Sequence, residues 1–191
     1  MNKDFEEETL KVTDTFIIPF NSEPLQIDKL TLTWDGIKQD KHASRTVVAA
    51  TQDALANAVT KGSEILNLRQ ISLISQEELN EIALKMNVNE IPLNFMRANI
   101  VTSGFKHLTQ LPFGTQIHFE FGAVLLLTGE NHPCGVTGKR IQESLLEEKN
   151  IIASFVKEGE HKRGVTAIVL RPGLIYAGQE ARVRIPVNKY Y

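Results

Sequence analysis

The strongest constraint on fold lies in the second half of the chain, where short strand-like runs are set apart by Gly- and Pro-containing turns. Ala98–Val101, Thr115–Glu120, Ala123–Thr128, Thr166–Leu170 and Ala181–Ile185 each read as a strand. Short strands separated by Gly/Pro turns predict a closed or nearly closed barrel with helices packed outside. Pro172-Gly173 reads as a turn joining two strands at a barrel end. The first half is mixed. Thr15–Phe20 and Gln26–Trp34 read as strands, the second with period-two alternation. Val47 to Ile65 is Ala-rich and helix-like, and Arg69–Ile74 is again strand-like. Ser75-Gln76-Glu77-Glu78 carries a capping-box signature and opens a helix expected to run to Met86 and end near Asn87. Residues 1–13 form a polar lead-in, and 14–191 are expected to make one domain, mainly β with flanking helices (α+β).

Cys134 is the single cysteine of the chain. It stands in Thr128-Gly129-Glu130-Asn131-His132-Pro133-Cys134-Gly135-Val136-Thr137-Gly138-Lys139-Arg140, after the apolar run Ala123–Leu127 and before a helix-like stretch from Ile141 to Val156. Helix N-terminal dipoles and nearby Lys or Arg lower a thiol pKa, so this strand-to-helix turn suits a reactive thiolate. Residue type alone also permits a small buried hydrophobe, and both readings stand at this level. His132, two residues away, is open to two roles: an acid, base or thiolate-tuning group, or a turn cap.

Exclusions narrow the classes. A lone cysteine leaves no intrachain disulfide and no iron–sulfur cluster held by several thiolates of this chain, and it points to a reducing, cytoplasmic setting. The net charge of −2 gives no global case for nucleic acid. No apolar run reaches the ~20 residues of a membrane span, and the acidic start Met1–Glu8 lacks the apolar segment of a signal peptide. No His/Cys/Asp spacing suggests zinc, and no Gly-rich phosphate loop or dinucleotide fingerprint is present. Ser44 and Ser103 lie outside any nucleophile elbow.

Several segments, in order, resemble one family. Thr128-Gly129 followed by Pro133-Cys134 is similar to the cysteine turn of MOSC domains, named for the C-terminal domain of molybdenum cofactor sulfurase. Arg97-Ala98-Asn99-Ile100-Val101-Thr102-Ser103-Gly104 resembles that family's Arg-Glu-Asn-Leu-Val-x-x-Gly element. Leu111–Ile117, Arg163–Val169 and Gly173–Val183 resemble its later strands, and Gln39-Asp40-Lys41-His42 resembles its Gly-Asp-Arg-His element. Arg69–Ser75 is similar to the strand that follows. Ala98, Gln39, Lys41, Val165 and Gln179 depart from the pattern, while the cysteine turn is kept. Val47–Ile65 falls where the family has a short connection, so it reads as a local insertion.

The resemblance implies a β-barrel with a few outer helices and a role with the molybdenum cofactor, whose metal is chelated by a pterin dithiolene with a phosphate tail. Cys134 would then be the metal ligand or the carrier of a persulfide, and soft thiolate suits such a metal. Basic side chains would meet the phosphate. Lys41, His42, Arg69, Arg97, Lys139, Arg140 and Arg163 are the candidates, with Asn99 for the pterin edge. The expected chemistry is reduction of an N-oxygenated small molecule or handling of sulfur and cofactor. Either would draw on a separate electron-donor or sulfur-donor protein. The alternatives are a non-catalytic binding module with this fold and a metal-free persulfide carrier.

Overall fold

The computed structural model describes residues 4–49, 59–145 and 150–187. In chain order the first strands are β1 (Phe5–Ile17), β2 (Leu25–Gln26), β3 (Lys29–Thr33), β4 (Gly36–Ile37), β5 (Thr46–Val48), β6 (Glu64–Leu66) and β7 (Ile71–Ser75). Helices α1 (Gln76–Met86) and α2 (Leu93–Met96) lead to β8 (Ile100–Ser103), β9 (Gln116–Phe119) and β10 (Val124–Glu130). Then come α3 (Gly135–Leu145), α4 (Ile151–Glu158), β11 (Val165–Arg171), β12 (Gly173–Tyr176) and β13 (Glu180–Pro186).

Seven strands close into a barrel in the order β1-β13-β9-β10-β11-β7-β8 and back to β1. Every pairing in the ring is antiparallel except β7–β8, which is parallel because α1 crosses between them. Closure depends on β1. Phe5–Lys11 pair with β13, and Lys11–Thr15 pair with β8 across a register break between Val12 and Asp14. A bulge of this kind bends one strand enough to serve two neighbours. The polar lead-in expected over 1–13 is therefore, from Phe5 on, the larger part of the closing strand. Its polarity reflects an outward face, for Leu10 and Val12 alternate inward to the core.

Inward side chains of the ring, among them Ile71, Leu73, Ile117, Leu125, Leu127, Ala167 and Val183, fill the barrel. A second apolar cluster joins its outer wall at Phe16, Ile74 and Val101 to α1, α3 and α4 through Leu79, Ile82, Ile141 and Phe155. The helix α1 has the expected bounds, with Ser75 Oγ accepting from the Glu78 N–H and Asn87 ending it in a left-handed conformation. The capping box is only half made. Glu78 turns inward to Thr109, and Glu77 takes the Ser75 hydroxyl instead.

Three further expectations change. The helix expected over Val47–Ile65 has strands at both ends, β5 paired with β6, and its middle lies outside the described residues. Alanine content favoured helix there, but Thr46–Val48 and Glu64–Leu66 satisfy each other's backbone groups. The stretch from Ile141 to Val156 is two helices, and the first begins six residues earlier, directly after Cys134. Gln26–Trp34 divides into β2 and β3. Pro172 does join two strands, β11 and β12, and β12 leaves the barrel to pair with β3. Among the described residues no helix is long and apolar enough to cross a membrane.

Candidate functional site

The turn after β10 places Cys134 at the start of α3. Its carbonyl accepts the first intrahelical bond, from the Gly138 N–H at 3.1 Å, so the residue is the N-cap of the helix. Its Sγ lies 3.5 Å from Thr137 Oγ1. The thiol is exposed. Partial desolvation alone would raise its pKa, yet the value is lowered. The Thr137 hydroxyl, the backbone N–H groups of Thr137 and Val136, and the charge of Arg163 together favour the thiolate. Of the two sequence readings of Cys134, the buried hydrophobe is excluded.

Arg163 comes from the loop before β11. Its neighbour Gly164 has φ +97°, and a Cβ there would lie 2.0 Å from the Leu73 carbonyl oxygen. Only glycine lets this loop press against β7. The Gly164 N–H donates to Thr109 Oγ1 at 2.8 Å, and Thr109 in turn donates to the buried Glu78 through its hydroxyl (2.7 Å) and N–H (3.0 Å). On the other side the Asn131 N–H donates to the Gly164 carbonyl at 2.8 Å, tying the cysteine turn to the arginine loop. Arg163 itself is 7% exposed. One terminal nitrogen donates to the Met96 carbonyl at 2.8 Å, while Nε and Nη1 are buried without a partner. Burial pushes its pKa down to about 10; the Cys134 charge works the other way, and Arg69 and Arg140 add to the depression.

Arg163 lines a pocket of about 420 Å³ with Lys41, His42, Arg69, Arg97, Asn99 and Arg140. The cations oppose one another. Lys41 has a lowered pKa, from desolvation first and then from the charges of Arg97 and Arg140. A concave surface with this much positive charge, and two unpartnered donors on one guanidinium, has the chemistry to accept an anion.

Seven of the sequence candidates are thus brought together. Asn99, however, was expected to meet a ligand edge, and its amide is already occupied. Nδ2 donates to Asp40 Oδ2 (2.8 Å) and the Phe16 carbonyl (3.3 Å), while Oδ1 accepts from the Ser72 N–H and hydroxyl. It builds the pocket wall. Lys139 lies elsewhere: one turn into α3 its side chain is 69% exposed and faces Glu143 at 3.8 Å. His132 also lies off the pocket, exposed and 3.8 Å from Glu130. The earlier start of α3 is the cause, since it turns Arg140 inward and Lys139 out.

Asp40 was missed. Its buried carboxylate accepts from the Ile18 N–H (2.8 Å), the His42 N–H (2.9 Å), His42 Nδ1 (3.0 Å) and Asn99. Burial would raise its pKa, but the bonds from His42 and Ile18 lower it. It fixes His42 and Asn99 in the wall. The only sequence signal was its place between Gln39 and Lys41; besides the nearby His42, its partners Ile18 and Asn99 come from two distant segments. Asn131 was missed for the same reason, and its Oδ1 accepts from Arg69 at 3.1 Å.

The family model for the MOSC domain matches residues 59–182. The chain belongs to the MOSC domain family. Its MOSC barrel is 41% identical over 158 residues to YuaD of Bacillus subtilis (strain 168), covering 83% of this chain and 81% of that one. The crystal structure of the Bacillus subtilis YuaD protein superposes with a TM-score of 0.90 at 38% identity, over 96% of this chain and 100% of that one. YiiM from Escherichia coli shares the fold, with a TM-score of 0.53 at 14% identity over 93% and 70% of the two chains. Among the described residues no three His, Cys, Asp or Glu side chains converge as a metal-binding group.

Proposed function

We propose that this MOSC domain binds the molybdenum cofactor, with the anionic tail in the cationic pocket and Cys134 presented to the metal. The observation that carries the reading is Arg163, buried on the pocket wall with two unpartnered nitrogens and interacting electrostatically with the Cys134 thiolate. The residues present fit such a group. A phosphate answers the orphaned guanidinium and the mutual repulsion of Lys41, Arg97 and Arg140. A metal that arrives with its own sulfur ligands asks little more of the protein than one thiolate. When bound, the cofactor would supply two-electron redox chemistry for reducing an N–O bond.

The chain's own residues would do the rest. The N-terminus of α3 and the Thr137 hydroxyl would favour the thiolate form of Cys134. Arg163, Arg69 and Arg140 hold and orient the anion, and Asp40 keeps His42 at the pocket edge. Electrons would come from a separate protein.

The exposure of Cys134 favours a second reading, sulfur handling. YuaD carries a name that links it to metal–sulfur cluster biosynthesis. In that case the Cys134 thiolate attacks the outer sulfur of a donor protein's persulfide, forms its own S–S bond and releases the donor's thiolate.

Elemental analysis of wild type and Cys134→Ser, purified side by side from cofactor-competent cells, tests the first reading. The expected result is near one molybdenum per wild-type chain, lost in the variant. No metal in either overturns it. A Cys134 mass increase of one sulfur atom, with no metal, would then establish the second.

A further inference from the structure

The first turn of α1 grips the segment that leads from β8 to β9. Glu77 accepts from the Gly104 N–H at 2.7 Å, and Glu78 accepts from both donors of Thr109, the hydroxyl at 2.7 Å and the N–H at 3.0 Å. Glu78 is the unusual member, because it is 2% exposed. An ionised carboxyl in that position costs free energy that a glutamine or an apolar side chain would not. Its side chain is also withdrawn from the capping box, where it would have served the helix directly. A buried acid that weakens the fold points to a use elsewhere.

That use lies one hydrogen bond further on. Thr109 Oγ1 gives its hydrogen to Glu78 and accepts from the Gly164 N–H at 2.8 Å. This N–H belongs to the peptide unit that joins Arg163 to Gly164, so Thr109 fixes the main chain from which Arg163 enters the pocket. The carbonyl of Gly164 accepts from the Asn131 N–H, three residues before Cys134, and Asn131 Oδ1 accepts from Arg69. Gly164 has no side chain with which to hold its own loop, and the Leu73 carbonyl bars one. The loop thus takes its position from Thr109 on one side and passes it to the cysteine turn on the other.

The strut has two hydrogen-bond states. With Glu78 ionised, its two oxygens accept both Thr109 donors, and the lone pairs of Thr109 Oγ1 remain for Gly164. With Glu78 protonated, the new O–H must donate. On Oε2 it displaces the Thr109 hydroxyl hydrogen from its bond, and on Oε1 it opposes the Thr109 N–H. Either way a buried donor loses its partner, and the hold on Gly164 slackens. Burial raises the Glu78 pKa to about 7; Glu81 adds to the rise, while the Thr109 bonds and Lys162 oppose it. The other charges nearby are turned to different partners. Lys85 and Lys162 lie against Glu81 at 3.0 and 3.5 Å, Lys157 of α4 against Glu158 at 3.2 Å, and His161 against Glu130 at 3.0 Å. Lys106 acts on Glu77 and, like His107, is exposed, while β7 and β8 bring no titratable side chain.

We infer that Glu78 is a positioning residue for the cationic pocket, acting through Thr109 and the Arg163–Gly164 peptide, with its ionised form holding the pocket in its binding geometry. The inference rests on the reading of that pocket as an anion site.

Sulfate, whose charge is constant over the range, would be titrated by calorimetry into wild type, Glu78→Gln, Thr109→Ser and Thr109→Val. The measurements are made at pH 5.5 and pH 8.5, on either side of the Glu78 titration. Glutamine carries a donor where protonated Glu78 carries one. At pH 8.5 Glu78→Gln should bind sulfate about fivefold more weakly than wild type, in the range of coupling between linked sites. At pH 5.5 the two should agree within about twofold, because wild type is then itself protonated. Lys41, His42 and Cys134 are common to both proteins and cancel in the ratio. Urea melts separate this effect from unfolding, since Glu78→Gln should be the more stable protein at pH 8.5, where it binds less well. Thr109→Ser keeps the hydroxyl and should match wild type, whereas Thr109→Val should bind weakly at both pH values. A ratio of wild type to Glu78→Gln that is equal at the two pH values, or full binding by Thr109→Val, overturns the inference and leaves the anion pocket standing. No sulfate binding to wild type overturns both.

Discussion

At the scale of single residues, Cys134 and Arg163 are mutually dependent. The thiolate is stabilised by the guanidinium, and the guanidinium has no carboxylate to balance it on the pocket wall. Alkylation of Cys134 by iodoacetamide should therefore rise to half its maximal rate at a lower pH than for an unstructured cysteine peptide. Arg163→Met should move that midpoint up and slow the reaction severalfold at neutral pH. The same substitution removes a buried cation with two unsatisfied nitrogens. Replacing such a group by an apolar one of similar reach is expected to stabilise the empty protein by about 1–3 kcal/mol, measured by urea denaturation. A loss of stability would mean that the Met96 carbonyl bond outweighs the desolvation. Arg163 was legible in the sequence because it abuts a glycine in a family-like stretch. Asp40 was not, since an acidic residue in a polar loop gives no sign that its partners are Ile18 and Asn99.

Elements set the geometry around these residues. The α3 N-terminus delivers Cys134, and α3 is held by close packing on α4. A Cβ on Gly138 would lie 2.9 Å from the Ile152 Cα, whereas one on Gly135 would meet only the end of the Ile152 side chain at 3.7 Å. Gly→Ala inside a helix ordinarily stabilises, by about 1 kcal/mol. Here Gly138→Ala should instead destabilise by about 1–3 kcal/mol, because the clash is with backbone that cannot move aside. Gly135→Ala should stay within about 0.5 kcal/mol of wild type. Thermal unfolding of the two variants checks the pair, and equal effects would refute the packing argument. The α1 bounds were readable because cap, periodicity and stop signal are all local. The start of α3 was not readable: Gly135 and Gly138 look like turn residues until the neighbouring helix explains them.

For the whole molecule, the buried Glu78 links α1, the Thr109 turn and the Arg163 loop. Desolvation raises its pKa from 4.5 to about 7, against the lowering effect of the Thr109 bonds. A carboxyl that holds its proton more tightly when folded adds stability that is complete below pH 4.5 and lost as pH rises to about 7. The loss is about 3 kcal/mol. Wild type should thus weaken between these pH values, and Glu78→Gln, which mimics the protonated acid, should flatten that part of the profile in urea melts. An unchanged slope in the variant would place the titration elsewhere. Sequence alone determined the barrel class, the family, the cysteine turn and most cations of the pocket. Those follow from strand length, turn residues and short ordered motifs, all of which are local. Tertiary structure alone decided that polar residues 5–13 close the barrel, that Lys139 and His132 face away, and that Glu78 reaches the Arg163 loop through Thr109. Each depends on which strand lies beside which, and pairing between segments tens of residues apart leaves no mark in either segment by itself.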